Sequence, residues 1–500
     1  MELKSAYEKK LLAFTGQVGD LAHNEIKTVD LNCSLSQAAR LLINPTINYL
    51  VVLKRNIPVG IVTKEHFSNS KSNNVAFYTD HDYEFVAEIM DTHLISVQKN
   101  KPVFDTLIFM LKHNINSLLV MDGKKSIGVI SQQDWLSVQV NYPTQLIKKI
   151  REAGSIKEIV NLRVESKKVI WEIFVKEENA VSLTNIITVI NDSIGKRIQQ
   201  IALLEMEMQD KGTPPVKYAW IGMGSEGRKA QTIRTDQDNG IIFENVPDNK
   251  YDKVKKWFLE YAKIVVNGLH ECGFPLCTGN IMATNPDLCN SLDKWKEQFE
   301  FIITKSNTKQ LLEASIYFDF RCIYGKEELA DKLWEFLFKN MKTHHFFMRH
   351  FSGNLLEASR PPIRKLAWKF LDFPLINPPP FDIKREGTAP LDAAIRLLAL
   401  HNEIKETNTL ERLQGILEKG NMPKSLADSV HVAFDFILKL RFKLEFTMDT
   451  EIKSLDHAVD PKELTQIELR KLKDALKTIY EVQDYAFKEV TGLSIPWSMK

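Results

Sequence analysis

Long apolar runs are missing from this 500-residue sequence. No stretch approaches the ~20 apolar residues that cross a bilayer, so a transmembrane helix is excluded. An excess of charge of either sign is missing as well. The 66 Lys and Arg against 64 Asp and Glu leave +2. Without a bulk field, neither nucleic acid nor an anionic membrane is an expected partner. The start, Met1-Glu2-Leu3-Lys4-Ser5, lacks the basic-then-apolar order of a signal peptide. The expectation is therefore a soluble cytoplasmic chain. Cysteine is sparse: Cys33, Cys272, Cys277, Cys289 and Cys322 are odd in number and irregularly spaced. They suggest no disulfide framework, match no C-x-x-C zinc knuckle, and read as reduced, mostly buried thiols.

What is present exceeds one core, and three or four domains are expected from length. The most informative stretch is Gly224-Ser225-Glu226-Gly227-Arg228, followed by Thr235-Asp236-Gln237-Asp238-Asn239. An apolar run, Val216 to Ile221, reads as a strand ending in a Gly-rich turn that opens a short helix. Backbone N–H groups at such a turn face an anion. Asp238 to Phe243 reads as a second strand. Residues i and i+2 of a strand share a face, so Asp236 and Asp238 are expected to point the same way. Adjacent carboxylates repel unless a cation lies between them, and Mg²⁺ prefers carboxylate and phosphate oxygens. A phosphate turn beside such a pair is the minimum equipment for nucleotidyl or phosphoryl transfer.

The same residues permit a rival reading. Gly222-Met223-Gly224-Ser225-Glu226-Gly227 is literally G-x-G-x-x-G after a strand, with Glu244 at a suitable distance for a ribose-binding acid. That reading needs an uninterrupted crossover helix, and Thr235 to Gly240 breaks it. A dinucleotide-binding oxidoreductase is thus the remote alternative.

The front of the chain repeats itself. Tyr49 to Leu53 leads to Gly60-Ile61-Val62-Thr63-Lys64-Glu65-His66. Ser117 to Met121 leads in the same way to Gly128-Val129-Ile130-Ser131-Gln132-Gln133-Asp134. Helical patterns precede both, over Ser36 to Ile43 and Val103 to His113. Farther on, apolar residues at three-and-four spacing predict helices between Pro143 and Asp210. These could couple the front to the centre or form an inert bundle packed on it. Gly212-Thr213-Pro214-Pro215 punctuates their end, and the tail is again mostly helical.

Two resemblances rest on these motifs. GSEGR followed by TDQDN is similar to the bacterial signalling nucleotidyltransferases of the polymerase-β-type superfamily, in the DUF294-type branch related to uridylyltransferases of nitrogen-regulatory proteins. The resemblance implies that Gly224, Ser225 and Arg228 hold a triphosphate and that Asp236 and Asp238 bind Mg²⁺ or Mn²⁺. It also implies a third carboxylate from a later D-x-R strand, for which Asp319 is the candidate metal ligand, with Arg321 contacting substrate. His270 to Asn280 resembles the family too and is expected to line the site as a loop and strand. One departure is Ala230, where the family usually has Glu. The segment Pro378 to Lys384, with Pro390, Arg396 and Asn408 to Arg412, resembles the family's accessory helical domain. Its Lys384, Arg396 and Arg412 either approach the phosphates or acceptor or are surface charges paired within the domain. His344, His345 and His350 do not share a helical face well and read as a packed or solvated patch rather than a metal site.

The front repeat resembles a pair of CBS domains, which implies clefts for adenosine nucleotides and self-association into a homodimer. In the signature G-x-h-[ST]-x-x-D, the hydroxyl can meet phosphate and the carboxylate can accept from ribose. Ser131 and Asp134 keep it intact, whereas the first copy has Thr63 but His66 in place of the acid. At most one good nucleotide site is expected.

The expected architecture is multidomain α/β and α. A tandem CBS (α+β) module spans 1–141, with copies near 22–70 and 84–138. A helical linker covers 142–211, a polymerase-β-type nucleotidyltransferase domain with a mixed sheet 212–335, and a C-terminal helical bundle 336–500. The expected activity is metal-dependent transfer of NMP from an NTP to a protein or small-molecule acceptor, regulated by adenosine nucleotide. The alternative is a catalytically weak or inactive nucleotide-sensing signalling protein.

Overall fold

The computed structural model describes residues 17–21, 27–44, 47, 49–55, 57–63, 66–67, 84–92, 94–101, 106, 109–110, 115, 117–123, 125–131, 141–176, 179–305, 311, 315–358, 380–451 and 458–493. The chain forms two compact units, Met1–Thr144 and Gln145–Lys500.

In the first unit, β1 (Thr28–Asp30), β2 (Tyr49–Lys54) and β3 (Ile57–Thr63) form one sheet. A second sheet joins β4 (Ser96–Gln98), β5 (Ser117–Asp122) and β6 (Lys125–Ser131). Each begins with a parallel pair and ends with an antiparallel one. Val52 faces Gly60 and Val120 faces Gly128, and the register slips immediately afterwards in both sheets. Strand alternation explains the packing. Leu50, Val52 and Val62 meet Ala38 and Leu42 of α1 (Leu35–Leu42), while Tyr49, Val51 and Ile61 meet Leu119 and Val129 of the second sheet. The Tyr49 hydroxyl donates to the Val129 carbonyl at 3.3 Å, so the two copies share a core.

The second unit includes helices α2 (Ile156–Lys176) and α3 (Ala180–Met208) ahead of its sheet. Asn179 caps α3 by accepting from the Ser182 N–H, and Ile186, Ile190, Ile194 and Ile198 are buried along it. A four-stranded sheet follows in the order β10-β7-β8-β9, comprising β7 (Tyr218–Gly222), β8 (Asn239–Phe243), β9 (Cys289–Ser291) and β10 (Arg321–Gly325). β7 runs antiparallel to both β8 and β10, and only β8 and β9 are parallel. That pairing overturns the dinucleotide reading, because a βαβ unit requires its two strands to be parallel. The connection holds only the short helix α4 (Gly224–Gly227). Phe243 stacks on Phe258 of α5 (Asp248–Glu271) with centroids 5.2 Å apart. The Tyr218, Tyr261 and Gln199 side chains form a buried hydrogen-bonded chain that ties this sheet to α5 and α3.

Behind the sheet lie α6 (Leu292–Lys305) and α7 (Glu327–Thr343), then a helical array of α8 (Ala389–His401), α9 (Thr409–Glu418), α10 (Lys424–Glu451) and α11 (Gln466–Thr491). α11 packs on both α8 and α10. Thr465 and Glu468 form a capping box at its start, and Gly492, at φ 70, ends it in the left-handed conformation.

Candidate functional site

β7 delivers the chain to Met223, whose N–H donates to the Asp238 carbonyl at 2.7 Å and so continues the β7–β8 ladder by one step. Gly224 then turns at φ +54, and a Cβ there would lie 2.5 Å from Asp238 Oδ2. Gly227 is constrained more tightly still: a Cβ would sit 1.6 Å from the Asp319 carbonyl oxygen. Gly224 lets the turn nest against Asp238, and Gly227 lets it nest against the Asp319 backbone. Between them, the Ser225 hydroxyl pairs with Thr235 Oγ1 at 3.1 Å.

Asp236 and Asp238 come together as expected, by a different route. β8 begins only at Asn239, so strand alternation does not align them. The preceding segment is irregular and is fixed from both sides. Gln237 Nε2 donates to the Val266 and Phe274 carbonyls at 3.2 and 3.0 Å, and Asn239 Oδ1 accepts from the Ala283 N–H at 2.8 Å. One oxygen from Asp236, one from Asp238 and the Cys277 Sγ all lie within 4.8 Å of one another. Among the described residues, no other group of His, Cys, Asp and Glu gathers in this way. Asp238 is 8% exposed. Burial, then the neighbouring Asp236, push its carboxyl up to about 6 against the opposing pull of Cys277, Arg228 and Lys384. Two carboxylates and a thiol converging on one point suit a divalent cation in donor type and in charge.

Cys277 belongs to the His270 to Asn280 stretch, which is a helix end and an irregular loop with no strand. The loop runs beside the acidic segment: Gln237 N–H donates to the Pro275 carbonyl and Asn239 N–H to the Ile281 carbonyl, both at 3.1 Å.

Asp319 is engaged by arginines within the fold. It lies in a single 3₁₀ turn, Tyr317–Asp319, with no exposed surface. Arg228 Nη1 donates to it at 2.6 Å, Arg396 Nε at 2.9 Å and Nη2 at 2.6 Å, and Arg412 Nη1 at 2.6 Å. Burial alone would raise its carboxyl, but Arg396, Arg412 and Arg228 together hold it well below the ordinary carboxylate range. A carboxylate already matched by three guanidinium groups is not available to a cation. Arg321 is likewise engaged within the fold. Its Nη1 and Nη2 grip Asp192 of α3 at 2.9 and 2.7 Å, and its Nε donates to the Glu226 carbonyl at 3.0 Å. Arg396 and Arg412 are not surface charges; they are buried and fasten the helical array to the Asp319 turn.

A narrow cleft beside the turn is lined by Ser225, Arg228, Ala230, Lys384, Asp392 and Arg441 among others. The exposed Lys384 therefore does approach the site. The loop between turn and carboxylates is held by a residue that sequence reasoning missed, Glu445 of α10. It accepts from Thr232 Oγ1 at 2.8 Å and from the Ile233 N–H at 3.1 Å. Arg441, one helical turn earlier, donates to it at 2.9 Å. Glu445 carried no motif, and Cys277 only its place in the His270 to Asn280 stretch; their neighbours in space are far away in sequence.

In the first unit, the Thr63 N–H donates to His66 Nδ1 at 3.1 Å, so His66 caps the end of β3. Ser131 is the last residue of β6, with its side chain outside the described residues, and Asp134 lies outside them altogether. His344 Nδ1 lies 2.9 Å from the Asn340 carbonyl at a helix end. All five cysteines are free thiols, and burial pushes those of Cys272 and Cys289 up to about 12.

Residues 165–309 match the family described as "Putative nucleotidyltransferase DUF294", and residues 347–490 the one described as "Putative nucleotidyltransferase substrate binding domain". CBS domains match at 18–70 and 86–141. The chain belongs to the DUF294 family. It carries a CBS pair ahead of that family's two domains. The matches accord with the expected multidomain architecture. Among curated proteins, it is 27% identical over 123 residues to an uncharacterized protein, MJ1232, of Methanocaldococcus jannaschii, covering 24% of this chain and 39% of that one. It is 28% identical over 119 residues to an L-aspartate semialdehyde sulfurtransferase of the same organism, covering 23% and 22%. The chain thus spans well under half the length of either relative. Among solved structures, the CBS domain pair of protein MJ0100, in complex with 5-methylthioadenosine and S-adenosyl-L-methionine, is 26% identical, covering 25% of this chain and 95% of that one at a TM-score of 0.22. A structure described as "a putative signal-transduction protein with CBS domains" from Burkholderia ambifaria is 25% identical, covering 23% and 84% at 0.20. No helix among the described residues is long and apolar enough to cross a membrane.

Proposed function

We propose that this DUF294-family chain transfers a nucleoside monophosphate from an NTP to an acceptor and releases pyrophosphate. The observation that carries the reading is the convergence of Asp236 and Asp238 against the Gly224 turn, where a Cβ would lie 2.5 Å from Asp238 Oδ2. Mg²⁺ or Mn²⁺ held by the pair would supply charge neutralisation at the phosphates and at the attacking oxygen. The chain's own residues do the rest. The Gly224–Ser225 turn receives the phosphates, and Arg228 keeps positive charge beside it because Asp319 and Asp392 fix its guanidinium. Lys384 adds a second, exposed cation at the same cleft.

Incubation of the full chain with labelled NTPs, Mg²⁺ or Mn²⁺ and candidate acceptors tests this. Label transfer that disappears in Asp238→Asn is the expected result; equal transfer by that variant overturns the reading. A second reading, nucleotide binding without turnover, draws support from the withdrawal of Asp319 into its arginine cage, which leaves two carboxylates where three were expected. Binding without transfer under all metals would favour it. At the CBS pair, adenosine nucleotide is the proposed regulator and homodimerisation the proposed assembly. Both rest on the family likeness of the CBS pair.

A further inference from the structure

We propose that Cys277 is the third protein ligand of the cation site, and that its sulfur turns the site away from Mg²⁺ and toward thiophilic divalent ions of the Zn²⁺ and Co²⁺ kind. The inference rests on the reading of Asp236 and Asp238 as a cation site and deepens it.

Three observations converge. The expected third carboxylate is absent, because Asp319 is committed to Arg228, Arg396 and Arg412. In its stead the Cys277 Sγ lies within 4.8 Å of oxygens from both Asp236 and Asp238, near enough for one ion to touch all three. The thiol is half-buried, and its loop is tied to the carboxylate segment on either side of Cys277, through Pro275 and Ile281. Asn239 Oδ1 adds a side-chain anchor on the Ala283 N–H. The sulfur is thus held by the same local framework that holds the acids.

Donor chemistry gives the consequence. Mg²⁺ is a hard ion that keeps oxygen ligands and much of its water, whereas thiolate favours Zn²⁺ and its softer neighbours. Coordination is balanced by loss of one proton: the S–H bond breaks, the metal–sulfur bond forms, and the proton passes to solvent. Cys33, Cys272, Cys289 and Cys322 have no carboxylate pair gathered on them among the described residues.

The test is Co²⁺ titration of the full chain, read by calorimetry and absorption rather than turnover. A thiolate-to-cobalt charge-transfer band in the near ultraviolet is expected in the natural protein. Cys277→Ser should lose the band and at least about tenfold in Co²⁺ affinity, since loss of even an outer partner of a ligand costs 10–100-fold. Its Mg²⁺ affinity should hold. Cys277→Asp, a second variant in case Ser unsettles the loop, should bind Co²⁺ without the band and shift preference toward Mg²⁺. Co²⁺ bound without any band, yet lost in Asp238→Asn, overturns the role of Cys277 and leaves the carboxylate pair standing. Failure of Asp238→Asn to alter binding of either metal overturns both.

Discussion

Asp319 and Asp238 are both buried carboxylates in the sheet domain, yet their surroundings are opposite. Asp319 faces three guanidinium groups and is held below the ordinary carboxylate range. Asp238 faces a second carboxylate and is pushed up to about 6. Burial raises both, so the difference comes from the sign of the neighbours. A carboxylate whose charge is matched within the fold acts as a fastener. One left beside a like charge is poised to receive a cation. The helical array takes part in both regions, through Arg396 and Arg412 on one side and Lys384 on the other.

The harshest way to break this comparison is to remove the fastener. Asp319→Ala strands three buried or half-buried cations, and breaking a buried pair in this way costs about 3–5 kcal/mol. Urea unfolding of the full chain should show a large fall in the midpoint of the Gln145–Lys500 unit, whereas Asp238→Asn should cause none. A wild-type midpoint for Asp319→Ala would mean that the cage holds nothing together.

The pH dependence of stability should separate the two carboxylates by sign, measured with divalent cations chelated. Asp319 has a lowered folded value, so its contribution is present above the ordinary value of ~3.9 and is lost as pH falls through the folded value. Asp238 has a raised folded value, so its contribution is full below ~3.9 and is lost as pH rises through about 6. Between pH 4 and 7 the natural protein should therefore shed on the order of 2 kcal/mol through Asp238 alone. Comparing urea midpoints at both ends of that range checks it: Asp238→Asn should lack this component, and an unchanged slope would contradict the assignment.

Glu445→Gln sharpens the comparison at intermediate size. It weakens charged hydrogen bonds worth about 1.5–3 kcal/mol that hold Thr232 and Ile233. Faster amide hydrogen exchange at Ile233 is expected, with the sheet core unaffected. The smallest effect belongs to Lys229 and Glu411, an ion pair 2.7 Å apart and partly solvent-exposed. Glu411→Gln should change the unfolding free energy by less than about 1 kcal/mol, with the difference fading as salt rises.

Much of this was legible in order along the chain. The front repeat showed in its spacing and folds into two sheets with matching pairing and matching register slips. The Gly-rich turn and the paired acids lie close together in the sequence, and they do meet. The D-x-R motif misled, because a short acidic motif does not reveal which cations will be packed around it. Arg396 and Arg412, which decide the environment of Asp319, lie far along the sequence. Cys277 was visible only as one member of a loop.

The sequence by itself determined what local pattern can determine: the helices by apolar spacing and caps, the strands by apolar runs, and the tight turn by glycines at Gly224 and Gly227. Tertiary structure alone decided the charge state and the role of each carboxylate. An ionisable group in a low-dielectric interior responds to every charge within a few ångströms, whatever its distance along the chain. That is why Asp319 became part of the framework, Asp238 part of the site, and Cys277 a neighbour of both acids of the pair.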